Sequence, residues 1–455
     1  MDAPDLTGLP AGDIAARVRD GRCTAGDVAR AHLARIAERD GEIGAFETVD
    51  PARVLAEAAG VDARPDRFAL PLAGVPVAVK DNTDVAGYPT RHGSRATSAE
   101  PARRDDELVK RLRAAGAVVA GKARMPELAI WGFTHSALGV TRNPLDPALD
   151  PGGSSGGGAA AVAAGMAALA LGTDGGGSIR IPAAYCGLVG LKPGRDVVPL
   201  PGGAAEHWYG LSVAGPIART AADAGLLLDV LAAEPGPHRA DPPVTAVALS
   251  LRPPAPHARP GPEHRAAAAG AAALLRAGGA WVARADPPYP LALIRAWTRR
   301  WHAGIARDVA DLGLRRGALE RRTAVIARKG RRVLRLGGPG QRAAQRWRAA
   351  ALAWFDAGGH DVLVTPAVAG PPFAAGSMQG RGYSVTLLRS AARVPYTPPW
   401  NLAGLPAVVA PVLVAGLPVG VQLVGRPGSE RRLLAAAARI EGRAVPEELV
   451  AAVAA

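Results

Sequence analysis

The feature that most constrains this chain is a glycine-, serine- and alanine-rich stretch between residues 151 and 182, PGGSSGGGAAAVAAGMAALALGTDGGGSIRIP. Its serines lie in two glycine-rich clusters, Ser154-Ser155 in the first and Ser178 in the second. Glycine has no Cβ, so backbone N–H groups in such clusters can converge on one small volume. Residues 174–178, DGGGS, would therefore suit an oxyanion hole beside a hydroxyl nucleophile; a flexible loop is the alternative.

The segment that joins the two clusters is apolar. From Ala159 to Leu171 it carries no charge, and Val162 is its only β-branched residue. Alanine and leucine are strong helix formers, so we expect a buried helix over these residues.

Composition indicates a globular chain with a sizeable core. Of its 455 residues 48% are hydrophobic and 21% are charged, which fits one large α/β domain or two to three ordinary ones. The two cysteines, Cys23 and Cys186, lie far apart in the sequence and indicate neither a disulfide scaffold nor a metal site. We expect a buried thiol at each position.

The formal net charge of +14 would suit an anionic partner. However, the chain has only five lysines, and its abundant Arg, Gly, Pro and Ala are typical of a G/C-rich genome. Aromatic residues make up 4% of the chain, which leaves few side chains for base stacking. We therefore expect no nucleic-acid partner.

Two charge-free runs have the length of a membrane span, residues 152–173 and 401–425. The first is glycine-rich, and the second holds three prolines that would break a spanning helix. The opening residues, MDAPDLTGLPAGD, lack the apolar core of a signal peptide. The sequence thus predicts no membrane association and a cytoplasmic location.

A short apolar run from Val75 to Val79 predicts a strand that ends at Lys80. Burial disfavours the charged form of an amine and can lower a lysine pKa by roughly 3–5 units, so Lys80 could serve as a neutral base. An ion pair with Asp81 or Asp84 is the alternative.

A near-match to a phosphate-binding loop, GxxxxGK, ends at Lys122. The next residue is Ala123, so the hydroxyl that would bind magnesium is missing. Residues 117–120 also predict a buried strand, and we expect no nucleotide cofactor.

Other patterns predict the remaining elements. Thr24 and Asp27 form a capping-box pattern ahead of an N-terminal helix. We expect a strand over 244–251, a helix near 263–277, two or three helices between 295 and 356, and a final helix over 430–440.

Several motifs resemble, in the same order, those of the amidase signature family of serine hydrolases. Besides the stretch from 151 to 182, they are VPVAVKDN, GKARMPELA, GVTRNPLD, VAGPIART, NLAGLPAVVAPV and GLPVGVQLVGRPGSE. The resemblance covers most of residues 10–232 and 360–441. It implies a single α/β domain with a central twisted, mixed β-sheet covered by helices on both sides. We expect four segments: N-terminal helices (1–65), a catalytic core (66–232), a variable substrate-shaping region (233–358) and the C-terminal part of the core (359–455).

The resemblance also implies a Ser–Ser–Lys triad without histidine. Ser178 would be the nucleophile and Lys80 the base. Ser154 would be the serine between them, which in the family follows a cis peptide bond. The backbone N–H groups of Gly175, Gly176, Gly177 and Ser178 would form the oxyanion hole, and Ser155, Asp174 and Arg180 would support the loops.

Two positions depart from the family pattern. Gly175 stands where a larger residue is common, which would loosen the oxyanion loop, and Gly158 stands where serine is common. Neither departure removes a triad member, so we expect an active amidase on a small-molecule amide, with no metal or cofactor. A homodimer stays open.

Four other functions stay open at this point. Gly153–Gly157 also fits GxSxG, the nucleophile elbow of α/β-hydrolases, with Ser155 as nucleophile and His207 or His360 as base. The others share the family core: the glutaminase subunit of a tRNA-dependent amidotransferase, an acyl-transferring enzyme, and a binding protein without activity.

Aromatic residues are the candidates for substrate contacts. We expect Trp208, Tyr209 and Trp400 to line an apolar acyl pocket. Trp297 and Trp301 are further candidates, although their helical spacing is more typical of core residues.

Overall fold

A computed structural model describes residues 5–232, 243–446 and 448. Residues 233–242, where the expected variable region would begin, lie outside the described part. Helices of six residues or more are α1 Ala11–Arg19, α2 Ala25–Ile43, α3 Pro51–Asp62, α4 Glu107–Ala114, α5 Gly156–Ala163, α6 Arg180–Tyr185, α7 Ala221–Leu231, α8 Pro262–Ala277, α9 Leu293–Asp311, α10 Arg321–Arg335, α11 Gln341–Ala357, α12 Tyr383–Arg393, α13 Pro398–Ala403 and α14 Glu430–Ile440.

The strands are β1 Phe46–Thr48, β2 Pro76–Lys80, β3 Val118–Ala123, β4 His135–Ser136, β5 Gly139–Val140, β6 Leu169–Asp174, β7 Val189–Lys192, β8 Val213–Ala218, β9 Ala246–Leu249, β10 Trp281–Arg284, β11 Val362–Pro366, β12 Ala407–Val414 and β13 Leu417–Val424. Within the described residues, eleven of them form one sheet in the order β1-β3-β2-β6-β8-β7-β12-β13-β11-β9-β10, and β4 pairs with β5. The sheet is mixed, with β3, β2 and β6 parallel and β8, β7, β12 and β13 antiparallel to their neighbours.

Helices flank both faces of this sheet, as alternate side chains of its strands show. Val408 of β12 packs into the same core as Leu433 of α14, whereas the next residue, Val409, packs with Ala184 of α6. Because successive side chains of a strand point to opposite faces, both faces are covered. The fold is thus the single-domain α/β architecture expected from the motifs. Its division at residues 65, 232 and 358 stays a prediction.

The helix expected over residues 159–171 is wrong in its second half. Helix α5 ends at Ala163, Gly165 adopts a positive φ of 72°, and β6 begins at Leu169. Residues 169–171 pair with β2 on one side and with β8 on the other. Strand pairing in the tertiary structure therefore overrides the helix propensity of this segment.

The other expected elements are present with small shifts of their ends. The capping box of Thr24 and Asp27 forms with both of its hydrogen bonds. The strand expected over 244–251 is limited to β9, the central region has three helices, and α14 spans the expected residues. No helix of the described residues is long and apolar enough to span a bilayer.

This topology brings the ends of two strands together. Strands β2 and β6 are parallel neighbours, so their carboxyl ends lie at the same edge of the sheet. Lys80 is the last residue of β2, and Thr173 and Asp174 are the last two of β6.

Candidate active site

Lys80 lies at the centre of a buried cluster of hydroxyl groups. Its side chain is 1% exposed, and its Nζ lies 2.8 Å from Ser154 Oγ, 2.9 Å from Ser155 Oγ and 2.9 Å from Thr173 Oγ1. Burial lowers the pKa of this amine to about 7, although the negative charge of Asp174 acts in the opposite direction. A large fraction of Lys80 is therefore uncharged near neutral pH.

The ion pair considered for Lys80 is not present in the described residues. Asp81 instead pairs with Lys122, whose Nζ lies 3.4 Å from Asp81 Oδ1 in an equally buried place. Lys122 is thus part of a structural ion pair rather than of a phosphate-binding loop, and β3 includes it as the pattern of residues 117–120 suggested.

The two serine clusters meet in space. The peptide bond between Gly153 and Ser154 is cis, as the family resemblance implied. The backbone N–H of Ser155 donates to the carbonyl oxygen of Ser178 over 3.0 Å. Ser154 and Ser155 are buried, and Ser178 is 9% exposed, at the wall of a cavity. Among the described residues, the side-chain hydrogen bonds that start at Lys80 end at Ser154: none joins Ser154 Oγ to Ser178 Oγ.

The glycine loop before Ser178 presents backbone N–H groups. Those of Gly175, Gly176 and Ser178 have no hydrogen-bond partner in the described part of the chain. The N–H of Gly177 differs from the expectation, because it donates to Asp174 Oδ1 over 2.6 Å. Three N–H groups therefore remain free to receive a ligand oxygen.

The carbonyl groups of this loop are each held by a side chain from elsewhere in the fold. Asn401 Nδ2 donates to Asp174 O (2.9 Å), Trp297 Nε1 to Gly175 O (3.0 Å), and Thr397 Oγ1 to Gly176 O (2.7 Å). Sequence reasoning assigned no role in the loop to these three side chains. Asn401 could have been found, because it begins the recognised NLAGLP motif.

Asp174 and Arg180 form a fully buried ion pair beside the loop. Arg180 Nε lies 2.9 Å from Asp174 Oδ2, and its Nη2 lies 3.0 Å from Asp174 Oδ1. Burial alone would raise the pKa of Asp174, but the Arg180 guanidinium holds it well below its usual range. The guanidinium also donates to the side chains of Gln422 and Asn401. Both residues therefore lie where the motifs placed supporting groups.

The cavity beside Ser178 is apolar. No Asp, Glu, Lys or Arg lines it, and His257 is its one titratable wall residue among the described residues apart from the serines. Its larger wall side chains include Trp131, Trp208, Trp297, Trp301, Ile181 and Leu387.

Two of the three expected aromatic contacts are not on this cavity. Trp400 is fully buried and packs against Trp347, with ring centroids 5.8 Å apart. Tyr209 lies beside a separate concavity that Arg300 and Arg348 help to line. Trp208 is therefore the one of the three that lies at the cavity wall.

The geometry contradicts the α/β-hydrolase alternative. His207 contacts Ser212 Oγ (2.7 Å) and Asp308 Oδ1 (3.1 Å), and His360 stacks between aromatic rings. Neither imidazole contacts Ser155, whose Oγ lies against Lys80 Nζ. The described residues also contain no group of three or more His, Cys, Asp or Glu side chains that could hold a metal ion.

Comparison with known proteins decides the family. The family model described as Amidase matches residues 27–434. The chain belongs to the amidase signature family. AmiB2 of Mycobacterium tuberculosis, which is named as an amidase, is 46% identical over 460 residues that cover 97% of both chains. A solved structure of 6-aminohexanoate cyclic dimer hydrolase superposes with a TM-score of 0.87 at 29% identity, covering 96% of this chain and 97% of that one.

The A-type component of the glutamyl-tRNA(Gln) amidotransferase of Symbiobacterium thermophilum is similar too. It is 37% identical over 466 residues, which cover 91% of this chain and 92% of that component. Taken together, these similarities make this amidase signature protein a hydrolase of amide C–N bonds.

Proposed function

We propose that this amidase cleaves its substrate through an acyl-enzyme on Ser178, with Lys80 as base and Ser154 between them. One observation carries the proposal: a buried amine with a pKa of about 7 lies 2.8 Å from the Ser154 hydroxyl, next to a loop with free N–H groups. A nucleophilic hydroxyl needs such a neighbouring base because it is weak at its own pKa.

In the acylation step, neutral Lys80 accepts the proton of Ser154, and Ser154 accepts the proton of Ser178. The Ser178 oxygen attacks the carbonyl carbon of the amide as its proton leaves. The N–H groups of Gly175, Gly176 and Ser178 donate to the oxyanion that forms, and one donor of this kind contributes about 10²–10³ in rate. Closing the second hydrogen bond, from Ser178 to Ser154, would accompany substrate binding, because catalytic hydrogen bonds tighten in the substrate complex.

When the tetrahedral intermediate collapses, Ser154 gives a proton to the leaving nitrogen and regains one from Lys80. The C–N bond breaks, the amine leaves, and an ester on Ser178 remains. Water then attacks that ester through the same relay in reverse. It releases a carboxylic acid and restores the Ser178 hydroxyl.

The cavity favours an uncharged, apolar substrate group. Its wall has four indole rings and no carboxylate, ammonium or guanidinium group among the described residues. Burial of a charged group there would carry an uncompensated desolvation cost. We therefore propose amides whose group beside Ser178 is a hydrocarbon or an aromatic ring.

This wall also argues against a glutaminase role. Glutamine carries an ammonium and a carboxylate, and a site for it needs side chains of opposite charge. Similarity to an amidotransferase component supports the shared chemistry, and the cavity favours a simple amide instead. For the location we propose the cytoplasm, in keeping with two cysteines that are both free thiols.

The experiment is a hydrolysis assay with the lone chain on arylacetamides, simple alkyl amides and glutamine. We expect turnover of the apolar amides, loss of it in Lys80→Ala, and wild-type rates in the matched control His360→Ala. Glutamine turnover as the best reaction, or an active Lys80→Ala variant, would contradict the proposal.

A further inference from the structure

Helix α9 presents a row of side chains to the active site. Trp297, Arg300, Gly304 and Asp308 are spaced by three, four and four residues, which places them on one face of the helix. Each of them contacts either the glycine loop before Ser178 or the segment of residues 207–212, as the following contacts show.

The first contact is a hydrogen bond to the loop itself. Trp297 Nε1 donates to Gly175 O over 3.0 Å. Its indole ring also covers Gly176 so closely that a Cβ on Gly176 would lie 2.6 Å from the Trp297 ring. Trp297 thus fixes both the direction of one carbonyl and the height of the loop.

The second contact is a wedge. The indole of Trp208 fills the space between Gly175 and Gly304, where a Cβ on either glycine would overlap with it. For Gly175 the Cβ would lie 2.7 Å from the Trp208 ring. The glycine at 175 therefore does not leave the loop loose, as the sequence suggested, because the Trp208 ring takes the place of a larger side chain.

The third contact holds the wedge in place. Trp208 Nε1 donates to Asp308 Oδ2 over 2.7 Å, and the other oxygen of Asp308 lies 3.1 Å from His207 Nε2. The second ring nitrogen of His207 lies 2.7 Å from Ser212 Oγ. Arg300 donates to the carbonyl of Tyr209. These bonds attach the 207–212 segment to α9 at both ends.

We propose that this face of α9, acting through Trp297 and through Trp208 with its Asp308 tether, positions the N–H groups of Gly175 and Gly176 toward the substrate oxyanion. The inference rests on the proposed use of those N–H groups. Trp208, Trp297 and Asp308 are then positioning residues, and α9 contributes to the rate of the reaction as well as to the shape of the cavity.

This role differs from simple cavity lining in what it predicts. A lining residue changes the affinity for large substrates and leaves small ones unaffected. A residue that positions the oxyanion loop changes kcat by a similar factor for every substrate, because each one develops the same oxyanion.

The test uses Trp208→Phe, which keeps a ring in the wedge but removes the N–H group, together with Asp308→Ala and Asp308→Asn. Steady-state kinetics are measured on an acetyl amide and on a bulky aromatic amide, and Tm checks the fold. We expect Trp208→Phe and Asp308→Ala to lower kcat by about 10-fold or more on both substrates, less than the 10²–10³ for outright loss of a donor, with KM within about twofold of wild type. Asp308→Asn keeps an acceptor for Trp208 Nε1 and should retain most of the activity.

A double-mutant cycle gives the second measurement. Because Trp208 and Asp308 act through one hydrogen bond, Trp208→Phe combined with Asp308→Ala should be no slower than the slower single variant. Wild-type kcat on the acetyl amide in both single variants, or a change confined to the KM of the bulky amide, would overturn the inference. Covalent labelling of Ser178 by a fluorophosphonate separates the two levels: unlabelled wild type contradicts the proposed function, whereas labelled wild type with unchanged variants contradicts this inference alone.

Discussion

Lys80 Nζ lies 2.8 Å from Ser154 Oγ, and both side chains are withdrawn from solvent. The lysine has no carboxylate partner among the described residues, so its surroundings are hydroxyl groups and one carbonyl. An amine in such a place favours its neutral form. The pH at which Lys80 loses its proton should therefore control the reaction.

The first prediction concerns this pH dependence. Burial lowers the pKa of Lys80 to about 7 from its ordinary 10.5, so the neutral form predominates above about pH 7 and disappears below it. We expect kcat/KM to rise with pH through an apparent pKa near 7. Lys80→Arg should be inactive at every pH, because a guanidinium does not lose its proton in proteins. A rate profile that is flat across this range would contradict the role of Lys80.

The second prediction concerns stability and the same group. Between pH 7 and pH 10.5 the unfolded chain holds the Lys80 proton and the folded chain does not. The free energy of unfolding of wild type should therefore rise with pH relative to Lys80→Met, by at most about 1.4 kcal/mol per pH unit. Denaturant unfolding of both proteins at about pH 7 and pH 9 measures the difference. Parallel curves would show that Lys80 is charged in the folded state.

The third prediction concerns the buried ion pair of Asp174 and Arg180. Arg180→Met leaves the Asp174 carboxylate buried without its partner, which should lower the free energy of unfolding by about 3–5 kcal/mol. Arg22 offers a matched control, because it pairs with Asp20 at the surface; Arg22→Met should stay within about 1 kcal/mol of wild type. Equal effects of the two substitutions would mean that the Asp174 pair contributes no more than a surface pair.

The fourth prediction concerns the apolar cavity. Leu387 lines it, whereas the adjacent Leu388 is 67% exposed. Leu387→Asp should lower kcat/KM for aromatic amides by about tenfold or more, since an unpaired charge is costly in an apolar wall. Leu388→Asp should leave it unchanged. Equal rates in the two variants, both folded by circular dichroism, would place the substrate elsewhere.

The sequence predicts the reacting groups better than their surroundings. Lys80, Ser154 and Ser178 follow from short motifs whose residues lie close together in the chain, and the structure brings all three to one edge of the sheet. The same holds for Asp174 and Arg180, which lie six residues apart in one motif. Local sequence carries this information because strand ends and tight glycine loops determine these positions.

Contacts between distant segments could not be predicted in the same way. Trp400 and Tyr209 were expected at the cavity, but the side that an aromatic ring faces depends on the helix packed against it. The contacts of Trp297 with the glycine loop join residues more than a hundred positions apart, in a region that carries no motif. The strand after Ala163 was missed because pairing partners, rather than propensity, determine it.

Mass spectrometry of the wild-type protein after treatment with a fluorophosphonate tests the central claim most directly. The account predicts one covalent adduct, on the peptide that contains Ser178, at a rate that falls as the pH drops below about 7 with the protonation of Lys80. The adduct should be absent from Ser178→Ala and much slower to form in Lys80→Ala. An adduct on Ser154 or Ser155 instead, or labelling of Ser178 that is unaffected by Lys80→Ala, would contradict it.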